Sequence, residues 1–359
     1  MRTAPTAPHF IVALLAAVVW TGCASRADDP TPEPRRAFYY WRTALQLTAT
    51  EADALARLKV SRLYLRFFDV EASELGTSLH PVAEVALAPG ARLPAGVELV
   101  PVVFLREAAL RGLPQGRPET LAREVLAAVD RRATVLGTSY REVQLDCDWA
   151  DGTRDAWFTF LRAATALAHA RQLQVSATVR LHQVKYRERT GVPPVDRGML
   201  MAYNMGRLSP EPDERSIFDE RSAARYLARL PEYPLPLDVA LPVFSWTVLT
   251  RGDHVEDLLQ STDPAELEAV PFLERLAPGR FRATRTAFLH GTLLRQGDVL
   301  KAEVVGPADV RAAADQLAPR LPSLPIGGPP RTITLFDLSE RTLARHDLES
   351  LDNLFRRLR

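Results

Sequence analysis

Residues Glu142-Val-Gln-Leu-Asp-Cys-Asp-Trp149 form an apolar stretch with two acids at its far end. Side chains alternate between the two faces of a β-strand, so Gln144, Asp146 and Asp148 are predicted to share one face. Cys147 then points towards covering helices, as inert core. A polar row beside an apolar row is typical of a barrel strand with a ligand at its open end. Because isolated carboxylates are costly to bury, Asp146 and Asp148 are expected to lie in a solvated or ligand-filled site.

This stretch is the fourth of eight predicted strands. The others cover residues 37–41, 61–69, 97–105, 173–182, 199–204, 237–246 and 332–338. Helical spacing and capping residues follow most of them, over residues 50–58, 119–137, 153–172, 222–230, 306–317 and 347–358. Strands that alternate with helices in this way predict an α/β fold of the (β/α)8 TIM-barrel type. A doubly wound open sheet is the main alternative.

A long interval separates the last two strands and requires a structure of its own. Residues 280–289 and 292–305 alternate between apolar and polar side chains. Alternation around Gln296-Gly-Asp298, within the second of these stretches, predicts a small antiparallel hairpin. We therefore expect a small β-rich insertion over about residues 250–305 that overhangs the barrel mouth.

The overall composition excludes several classes of protein. Of the 359 residues 47% are hydrophobic and 25% charged, as in ordinary globular proteins, and the net charge is +1. A balanced charge argues against a nucleic-acid partner, since phosphate affinity requires an excess of Lys and Arg. The sequence contains no common Gly-rich phosphate loop and no zinc-type Cys/His spacing, so we expect no cofactor. A metal site formed by Asp146, Asp148 and His182 is a weaker alternative.

The first 23 residues have the pattern of an export signal. Arg2 precedes an apolar run, Phe10–Trp20, that is too short to span a bilayer comfortably. Thr21-Gly-Cys23 resembles the lipobox of bacterial lipoproteins, which implies diacylation of Cys23 after cleavage, although Trp20 stands where that motif usually has Leu. Plain secretion and a buried N-terminal helix are the alternatives. A disulfide between Cys23 and Cys147 is not expected.

The polar, Pro-rich residues 24–35 are predicted to be a spacer between this anchor and a domain over residues 36–359. No aspartate directly follows Cys23. By resemblance to the usual lipoprotein sorting rule, this indicates an outer-membrane lipoprotein that faces the periplasm or the exterior.

Four segments carry a resemblance to a family of bacterial envelope proteins whose activity is not established. They are Asp146–Trp149, Arg180–Tyr186, Gly191–Gly206 and Leu237–Pro242. A more distant resemblance is to chitinase-like glycoside hydrolases, which have an Asp-x-Asp-x-Glu motif on strand four, Met-x-Tyr-Asp/Asn on strand six and a Pro-aromatic element on strand seven. The matching segments of this chain are Asp146-Cys-Asp148, Met201-Ala-Tyr-Asn204 and Pro242-Val-Phe244. Some members also carry a β-rich insertion after strand seven.

One departure from the chitinase-like pattern concerns the general acid. The Glu of the motif would fall at position 150, which is Ala150. A glycosidase needs a protonated carboxyl beside the leaving oxygen, and alanine cannot supply one. The resemblance implies that Asp148, assisted by Tyr203, holds an acetamido group of the substrate. Three carboxyls near strand ends are candidates for the missing acid: Asp69, Asp151 and Asp337.

Further candidate ligand contacts lie at the predicted strand ends. Arg180 and His182 share a face of strand five, where either ligand contact or an internal Asp146–Arg180 ion pair is expected. Arg66 and Asp69 end strand two, where either ligand contact or a pair between the two is expected, and Asn204 is expected to hydrogen-bond a ligand. Five aromatic residues are each predicted to be either a stacking platform or core: Tyr39, Trp41, Trp149, Tyr203 and Trp246.

Together these patterns predict a lipid-anchored envelope protein whose barrel binds a polysaccharide or oligosaccharide at the C-terminal mouth and, if another carboxyl supplies the acid, cleaves it. Asp146 and Asp148 are the predicted catalytic residues. The alternative is a non-catalytic glycan-binding or scaffold lipoprotein on the same fold.

Overall fold

The computed structural model describes residues 33–72, 79–206, 208–209, 211, 214–260, 262–325 and 327–358. The predicted export signal, the lipidation site Cys23 and most of the predicted spacer lie outside the described residues.

Eight parallel strands in the described chain close into a barrel. They are β1 (Arg35–Tyr40), β2 (Arg62–Ala72), β3 (Glu98–Leu105), β4 (Glu142–Asp146), β5 (Gln174–Arg180), β6 (Arg197–Met201), β7 (Leu237–Pro242) and β8 (Thr332–Phe336). Each strand pairs with the next, and β1 closes the ring, because Phe38 lies beside Leu63 of β2 and beside Leu335 of β8. The closed ring confirms the predicted (β/α)8 barrel and excludes the open sheet.

Helices connect most of the strands. They are α1 (Ala49–Arg57), α2 (Arg117–Leu136), α3 (Arg154–His169), α4 (Leu181–Lys185), α5 (Arg187–Thr190), α6 (Glu220–Leu227), α7 (Pro264–Glu268), α8 (Pro307–Leu317), α9 (Glu340–Arg345) and α10 (Leu348–Arg357), with 3-10 turns at Glu107–Leu110, Leu230–Glu232 and Ala318–Arg320. Local sequence sets the ends of several. A capping box starts α1, where Thr48 and Glu51 each accept a hydrogen bond from the other's backbone N–H. Gly137 ends α2 in the left-handed region at φ 66°.

Short strands follow β2. Leu79–Val82 pairs antiparallel with the end of β2, and Ala86–Leu87 pairs with Ala44–Leu45.

Two of the predicted strands are shorter than expected. β4 ends at Asp146, so Asp148 lies beyond the strand and does not share its inward face. β5 ends at Arg180, because α4 begins at the next residue and Gln183 Oε1 accepts a hydrogen bond from the Arg180 backbone N–H at 2.7 Å. His182 is therefore on a helix, which corrects its predicted position on the inward face of strand five.

Buried ion pairs fill the barrel interior at the N-terminal ends of the strands. Arg62 Nη1 lies 2.6 Å from Glu142 Oε2, and the Ser176 hydroxyl donates to Glu142 Oε1 at 2.6 Å. Arg197 forms a bidentate pair with Asp238, at 3.0 and 2.6 Å. All of these side chains are nearly inaccessible to solvent. Because these side chains fill the N-terminal end of the barrel interior, space for a ligand is expected at the C-terminal ends of the strands.

The predicted β-rich insertion lies between β7 and α8. It contains a five-stranded antiparallel sheet in the order His254–Gln260, Ser245–Arg251, Val299–Val304, Arg280–Ala283 and Leu273–Ala277. A separate hairpin pairs Ala287–Leu289 with Thr292–Leu294. Leu249, Phe281 and Leu300 of the sheet pack with Leu289 and Leu294 of the hairpin in a small core.

Two details of the insertion differ from the prediction. The sheet already begins at Ser245, so Trp246 belongs to the insertion and β7 ends at Pro242. The predicted hairpin around Gln296-Gly-Asp298 is wrong, because Val299–Val304 pairs with Ser245–Arg251 and Arg280–Ala283 instead of Thr292–Leu294. Period-two alternation identifies strands but does not specify their partners. In the described ranges no helix is long and apolar enough to cross a bilayer.

Candidate ligand-binding site at the barrel mouth

A cavity of about 700 Å³ opens at the C-terminal ends of the barrel strands. We call it the mouth cavity. Nine of the residues singled out in the sequence line it: Trp41, Arg66, Asp69, Asp146, Arg180, Tyr203, Asn204, Trp246 and Asp337. Seven lining residues were not predicted as ligand contacts: Arg42, Phe104, Arg106, Met201, Phe244, Gln260 and Phe336. The strand ends thus bring together side chains from segments that are far apart in sequence.

Asp146 ends β4 and lines the mouth cavity, although only 4% of it is exposed. Thr178 on the neighbouring β5 donates its hydroxyl hydrogen to Asp146 Oδ1 at 2.5 Å. Burial raises the pKa of Asp146 to about 6, while the positive charge of Arg180 and the Thr178 hydrogen bond limit the rise. Asp146 is therefore able to exchange a proton near pH 6.

Asp337 directly follows β8 and lines the same cavity. Burial raises its pKa to about 6, and the positive charge of Arg42 opposes part of that rise. Among the described residues, no side chain hydrogen-bonds or ion-pairs with the Asp337 carboxylate. This carboxyl therefore differs from the other acids of the mouth, which have polar partners.

Asp69 is held by an arginine. Arg66 Nε donates to Asp69 Oδ1 at 2.7 Å, and Arg66 Nη2 contacts the second carboxylate oxygen. The pairing expected from the sequence is present, and it is bidentate. The Arg66 guanidinium also lies 5.5 Å from the centre of the Trp41 ring. Asp69 thus serves to position Arg66 beside Trp41 at the cavity edge.

Five aromatic rings that line the mouth cavity contact one another, and we call them the aromatic wall: Trp41, Tyr203, Phe244, Trp246 and Phe336. The Phe336 ring is central, with centroid distances of 5.4 Å to Trp41, 5.7 Å to Tyr203 and 5.5 Å to Phe244. Trp246 extends the wall from the insertion, 5.5 Å from Phe244. Rings in edge-to-face and tilted contacts hold one another in place. The lining of the cavity therefore combines an apolar aromatic surface with charged side chains.

The two polar residues at the end of β6 have different environments. Burial raises the pKa of Tyr203, whose hydroxyl donates to the sulfur of Met201 at 2.9 Å. Sulfur is a weak acceptor, so a ligand oxygen is a better partner for this hydroxyl. Asn204 is exposed and adopts the left-handed region at φ 54°, and its N–H donates to Ile217 O at 2.8 Å.

A second opening of about 660 Å³, the side cavity, adjoins the mouth cavity at Arg180 and Asn204. It is lined by the other candidates Asp148, Trp149, Asp151 and His182, together with Ala150, Gly152, Arg189 and Thr190. Arg180 Nε lies 2.6 Å from Asp148 Oδ1, so the ion-pair partner of Arg180 is Asp148 and not Asp146, which was one of the two predicted alternatives. Arg189 Nε lies 3.4 Å from Asp151. Asp148 and Asp151 are therefore outside the group of carboxyls that line the mouth cavity.

Of the five aromatic residues predicted to be either a stacking platform or core, Tyr39 and Trp149 are buried. Tyr39 is fully buried, and its hydroxyl donates to Gln144 Oε1 at 2.5 Å inside the barrel. Trp149 is 3% exposed, stacks on Trp157 and donates its indole N–H to Thr190 O at 3.0 Å. Cys147 is a buried free thiol whose pKa is raised by burial, in agreement with an inert core residue.

A polar network fastens the insertion to the loop after β6. Glu303 Oε2 accepts hydrogen bonds from the Ser216 N–H at 2.7 Å and from the Ser216 hydroxyl at 2.8 Å. Its other oxygen lies 3.0 Å from the buried Lys301 ammonium group. Ser216 Oγ in turn accepts the Trp246 indole N–H at 3.2 Å. The network therefore fixes Trp246, and with it one end of the aromatic wall.

Within the described ranges, no group of three or more His, Cys, Asp or Glu side chains is placed to hold a metal ion. The cation that lies beside Asp148 is the Arg180 guanidinium.

The fold of this chain is similar to the folds of solved chitinases and of a spore cortex-lytic enzyme. The spore cortex-lytic enzyme SleL of Bacillus megaterium QM B1551 aligns with a TM-score of 0.54 at 11% identity, over 91% of this chain and 74% of that enzyme. A class V chitinase from Pseudomonas fluorescens Pf-5 gives 0.51 at 13%, over 90% and 99%. A chitinase from Chromobacterium violaceum ATCC 12472 gives 0.50 at 12%, over 90% and 98%.

At this level of identity the likeness shows the fold alone. No protein-family model matches the chain, and no curated protein matches it. The resemblance to bacterial envelope proteins therefore stays a prediction.

Proposed function

We propose that the mouth cavity binds a glycan and hydrolyses a glycosidic bond within it. The observation that carries this proposal is that Asp146 and Asp337, both with pKa values raised to about 6, line one cavity beside the aromatic wall. Glycoside hydrolysis requires a pair of carboxyl groups, one of which is protonated next to the leaving oxygen. Aromatic rings offer apolar faces on which a sugar ring stacks. The chitinase-like fold supports the same substrate class.

In this proposal Asp337 takes the role of the acid that position 150 lacks. Its proton passes to the glycosidic oxygen as the bond from that oxygen to the anomeric carbon breaks, and the leaving sugar departs as an alcohol. The Asp146 carboxylate stabilises the positive charge that develops at the anomeric carbon. Water then adds to that carbon and returns a proton to Asp337. The environments of the two other acid candidates argue against them, because Asp69 is bound by Arg66 and Asp151 lines the side cavity.

Other residues would bind and orient the glycan. The resemblance to chitinase-like enzymes assigns Asp148 and Tyr203 to a substrate acetamido group. Asp148 reaches the mouth only through its ion pair with Arg180, which lines both cavities. Tyr203 and Asn204 supply hydrogen-bonding groups at the cavity, and Trp246 supplies a ring.

A second candidate function is glycan binding without cleavage. Two observations favour it: Ala150 stands where the chitinase-like motif has its acid, and Arg180 already engages the Asp148 carboxylate. In this case the aromatic wall and the polar groups of the mouth bind the sugar, and no bond is broken.

The test uses protein from residue 24 onward with peptidoglycan, chitin oligomers and other envelope polysaccharides. Product release is followed by mass spectrometry, and binding by calorimetry on the same samples. We expect release by the unaltered protein and its loss in Asp146→Asn and Asp337→Asn. Asp155→Asn is the matched control, because Asp155 is exposed on α3. Saturable binding without release supports the binding protein, and absence of both results would contradict the glycan proposal.

We also propose that the protein is an envelope lipoprotein tethered through Cys23. This rests on the apolar run and Thr21-Gly-Cys23 in the sequence. In cells that express the whole chain, labelled palmitate should be incorporated into the protein and should be absent from Cys23→Ser. Equal labelling of the two proteins would contradict the anchor.

A further inference from the structure

One segment of the insertion combines exposed apolar side chains with a local excess of positive charge. In the described part of the chain six large hydrophobic side chains are exposed, and three of them, Leu276, Phe288 and Leu293, lie between Arg275 and Gly297. The same segment contains five arginines and one histidine but no aspartate or glutamate, although the net charge of the whole chain is only +1. We call residues 275–297 the basic segment.

The hairpin at the centre of this segment presents its apolar residues in an ordered way. Phe288 lies directly opposite Leu293 across the two strands, so both side chains are on one face. Leu289 and Leu294 are on the other face, where they are buried in the insertion core. The buried pair holds the hairpin against the sheet, while Phe288 and Leu293 remain 69% and 42% exposed. The structure thus fixes an apolar pair that faces solvent.

Two arginines lie at the open end of the hairpin, opposite its turn at His290–Gly291. Arg285 precedes it and Arg295 follows it, and both are exposed. The Arg285 guanidinium lies over the Phe272 ring at 5.2 Å, and the acid that follows the segment, Asp298, is already paired with Arg251 at 2.9 Å. Neither Arg285 nor Arg295 forms an ion pair with a described residue. The charge of Arg285 is therefore available to an anionic partner, and that of Arg295 acts within the protein only on Asp298, which already has Arg251 as its ion-pair partner.

We propose that the hairpin docks on an anionic lipid surface, with Phe288 and Leu293 in the interface and Arg285 and Arg295 at the lipid phosphates. Apolar side chains flanked by cationic ones bind in this way to the boundary between headgroups and acyl chains. Charge complementarity favours an anionic lipid surface over a neutral polysaccharide, because a neutral polysaccharide has no negative charge to interact with Arg285 and Arg295. A second copy would bring its own basic segment, whose like charge opposes association. The proposal is independent of the glycan site.

The test measures sedimentation of the protein with lipid vesicles. Every described helix and strand lies between Arg35 and Arg357, so protein that begins at residue 24 retains them without the N-terminal apolar run. One set of vesicles contains phosphatidylglycerol in phosphatidylcholine, and the other contains phosphatidylcholine alone. The variants are Phe288→Ser/Leu293→Ser and Arg285→Gln/Arg295→Gln. Val135→Ser is the matched control, since Val135 is 71% exposed on α2. Circular dichroism checks that each variant is folded.

We expect the unaltered protein and Val135→Ser to bind the anionic vesicles equally, and added salt to weaken the binding. Each double variant should bind roughly tenfold more weakly or worse, through lost apolar contact or lost charge. Equal binding to both kinds of vesicle, or unchanged binding by the folded double variants, would overturn the proposal. Concentration-dependent dimerisation or chitin binding that disappears in Phe288→Ser/Leu293→Ser, without vesicle binding, would assign the surface to another partner.

Discussion

The Thr178 hydroxyl donates a 2.5 Å hydrogen bond to Asp146 across the boundary between β4 and β5. Arg180, two residues further along β5, instead forms its ion pair with Asp148. Asp146 is therefore stabilised as an anion by one hydroxyl and by the more distant charge of Arg180, while burial favours its neutral form. These opposing effects place its pKa at about 6, where a catalytic carboxyl is most useful at near-neutral pH.

Thr178→Val should raise the pKa of Asp146 by roughly one unit, because it removes a hydrogen bond to the charged form and keeps the side-chain shape. The measurement is a carboxyl-carbon NMR titration that compares the variant with unaltered protein. Thr178→Ser keeps the hydroxyl and should titrate like the unaltered protein. An unchanged Asp146 titration in Thr178→Val would show that the hydrogen bond does not tune this group.

Asp337→Asn should increase the free energy of unfolding at pH 8 by roughly 1–3 kcal/mol. The folded-state pKa of Asp337 is raised from 3.8 to about 6. Its stabilising contribution is therefore complete below about pH 4 and is lost as the pH rises through 6, since the folded state must then hold a buried charge. Asparagine does not titrate, so the difference should vanish near pH 4. Urea denaturation at the two pH values measures this, and a variant that is less stable at pH 8 would contradict the prediction.

If Asp337 is the proton donor, its loss should depend on the leaving group. Asp337→Asn should reduce cleavage of an unmodified oligosaccharide by roughly 10²–10⁴-fold, which is the usual contribution of a general acid. A nitrophenyl glycoside has a leaving group that departs without protonation, so the same variant should cleave it nearly as fast as the unaltered protein. Equal losses on both substrates would assign Asp337 to binding or folding rather than to proton transfer.

The pH dependence of cleavage should be bell-shaped with a maximum near pH 6. Asp337 must be protonated and Asp146 ionised, and both pKa values lie at about 6. Activity should therefore fall on both sides, as Asp146 gains its proton in acid and Asp337 loses its proton in alkali. Initial rates at low substrate concentration measure this profile. A plateau that extends through pH 8 would be incompatible with Asp337 as the acid.

Glu303→Ala should destabilise the protein by roughly 3–5 kcal/mol, because it leaves the Lys301 ammonium group buried without its ionic partner. It also removes the acceptor that holds Ser216, which accepts the Trp246 indole N–H. Urea denaturation followed by tryptophan fluorescence reports both effects. Glu256→Ala is the control, since Glu256 pairs with Arg251 at the surface of the same sheet and should cost less than about 1 kcal/mol. An equal loss of unfolding free energy in the two variants would show that the buried network stabilises the protein no more than the surface ion pair does.

The barrel itself was predictable because each of its strands carries its own signal. Alternation in the stretch from Glu142 to Asp146 and the helices that follow most strands define the repeat without reference to distant residues. The strand-end candidates Asp146, Tyr203 and Asp337 meet at the mouth for the same reason, since parallel barrel strands end on one side.

The remainder of the site depended on information that alternation does not contain. Alternation continues in the sequence beyond Asp146 and Arg180, where the strands end. The strand positions predicted for Asp148 and His182 are wrong for this reason. The sequence did not identify Phe336 and Phe244 as ligand contacts, because an aromatic residue at a strand end is compatible with a position either in the core or at a cavity. Arg42 and Gln260 reach the cavity from a loop and from the insertion, whose positions depend on tertiary contacts.

The residues that line the mouth cavity come from two parts of the structure, the barrel and the insertion. Asp146 and Asp337 come from barrel strand ends, whereas Trp246 and Gln260 come from the insertion sheet. Replacing Trp246 or Gln260 changes the shape of the cavity without disturbing any pairing between barrel strands. In evolutionary terms, a lineage that carries this fold can acquire a new ligand preference through the insertion while selection preserves the carboxyl pair unchanged.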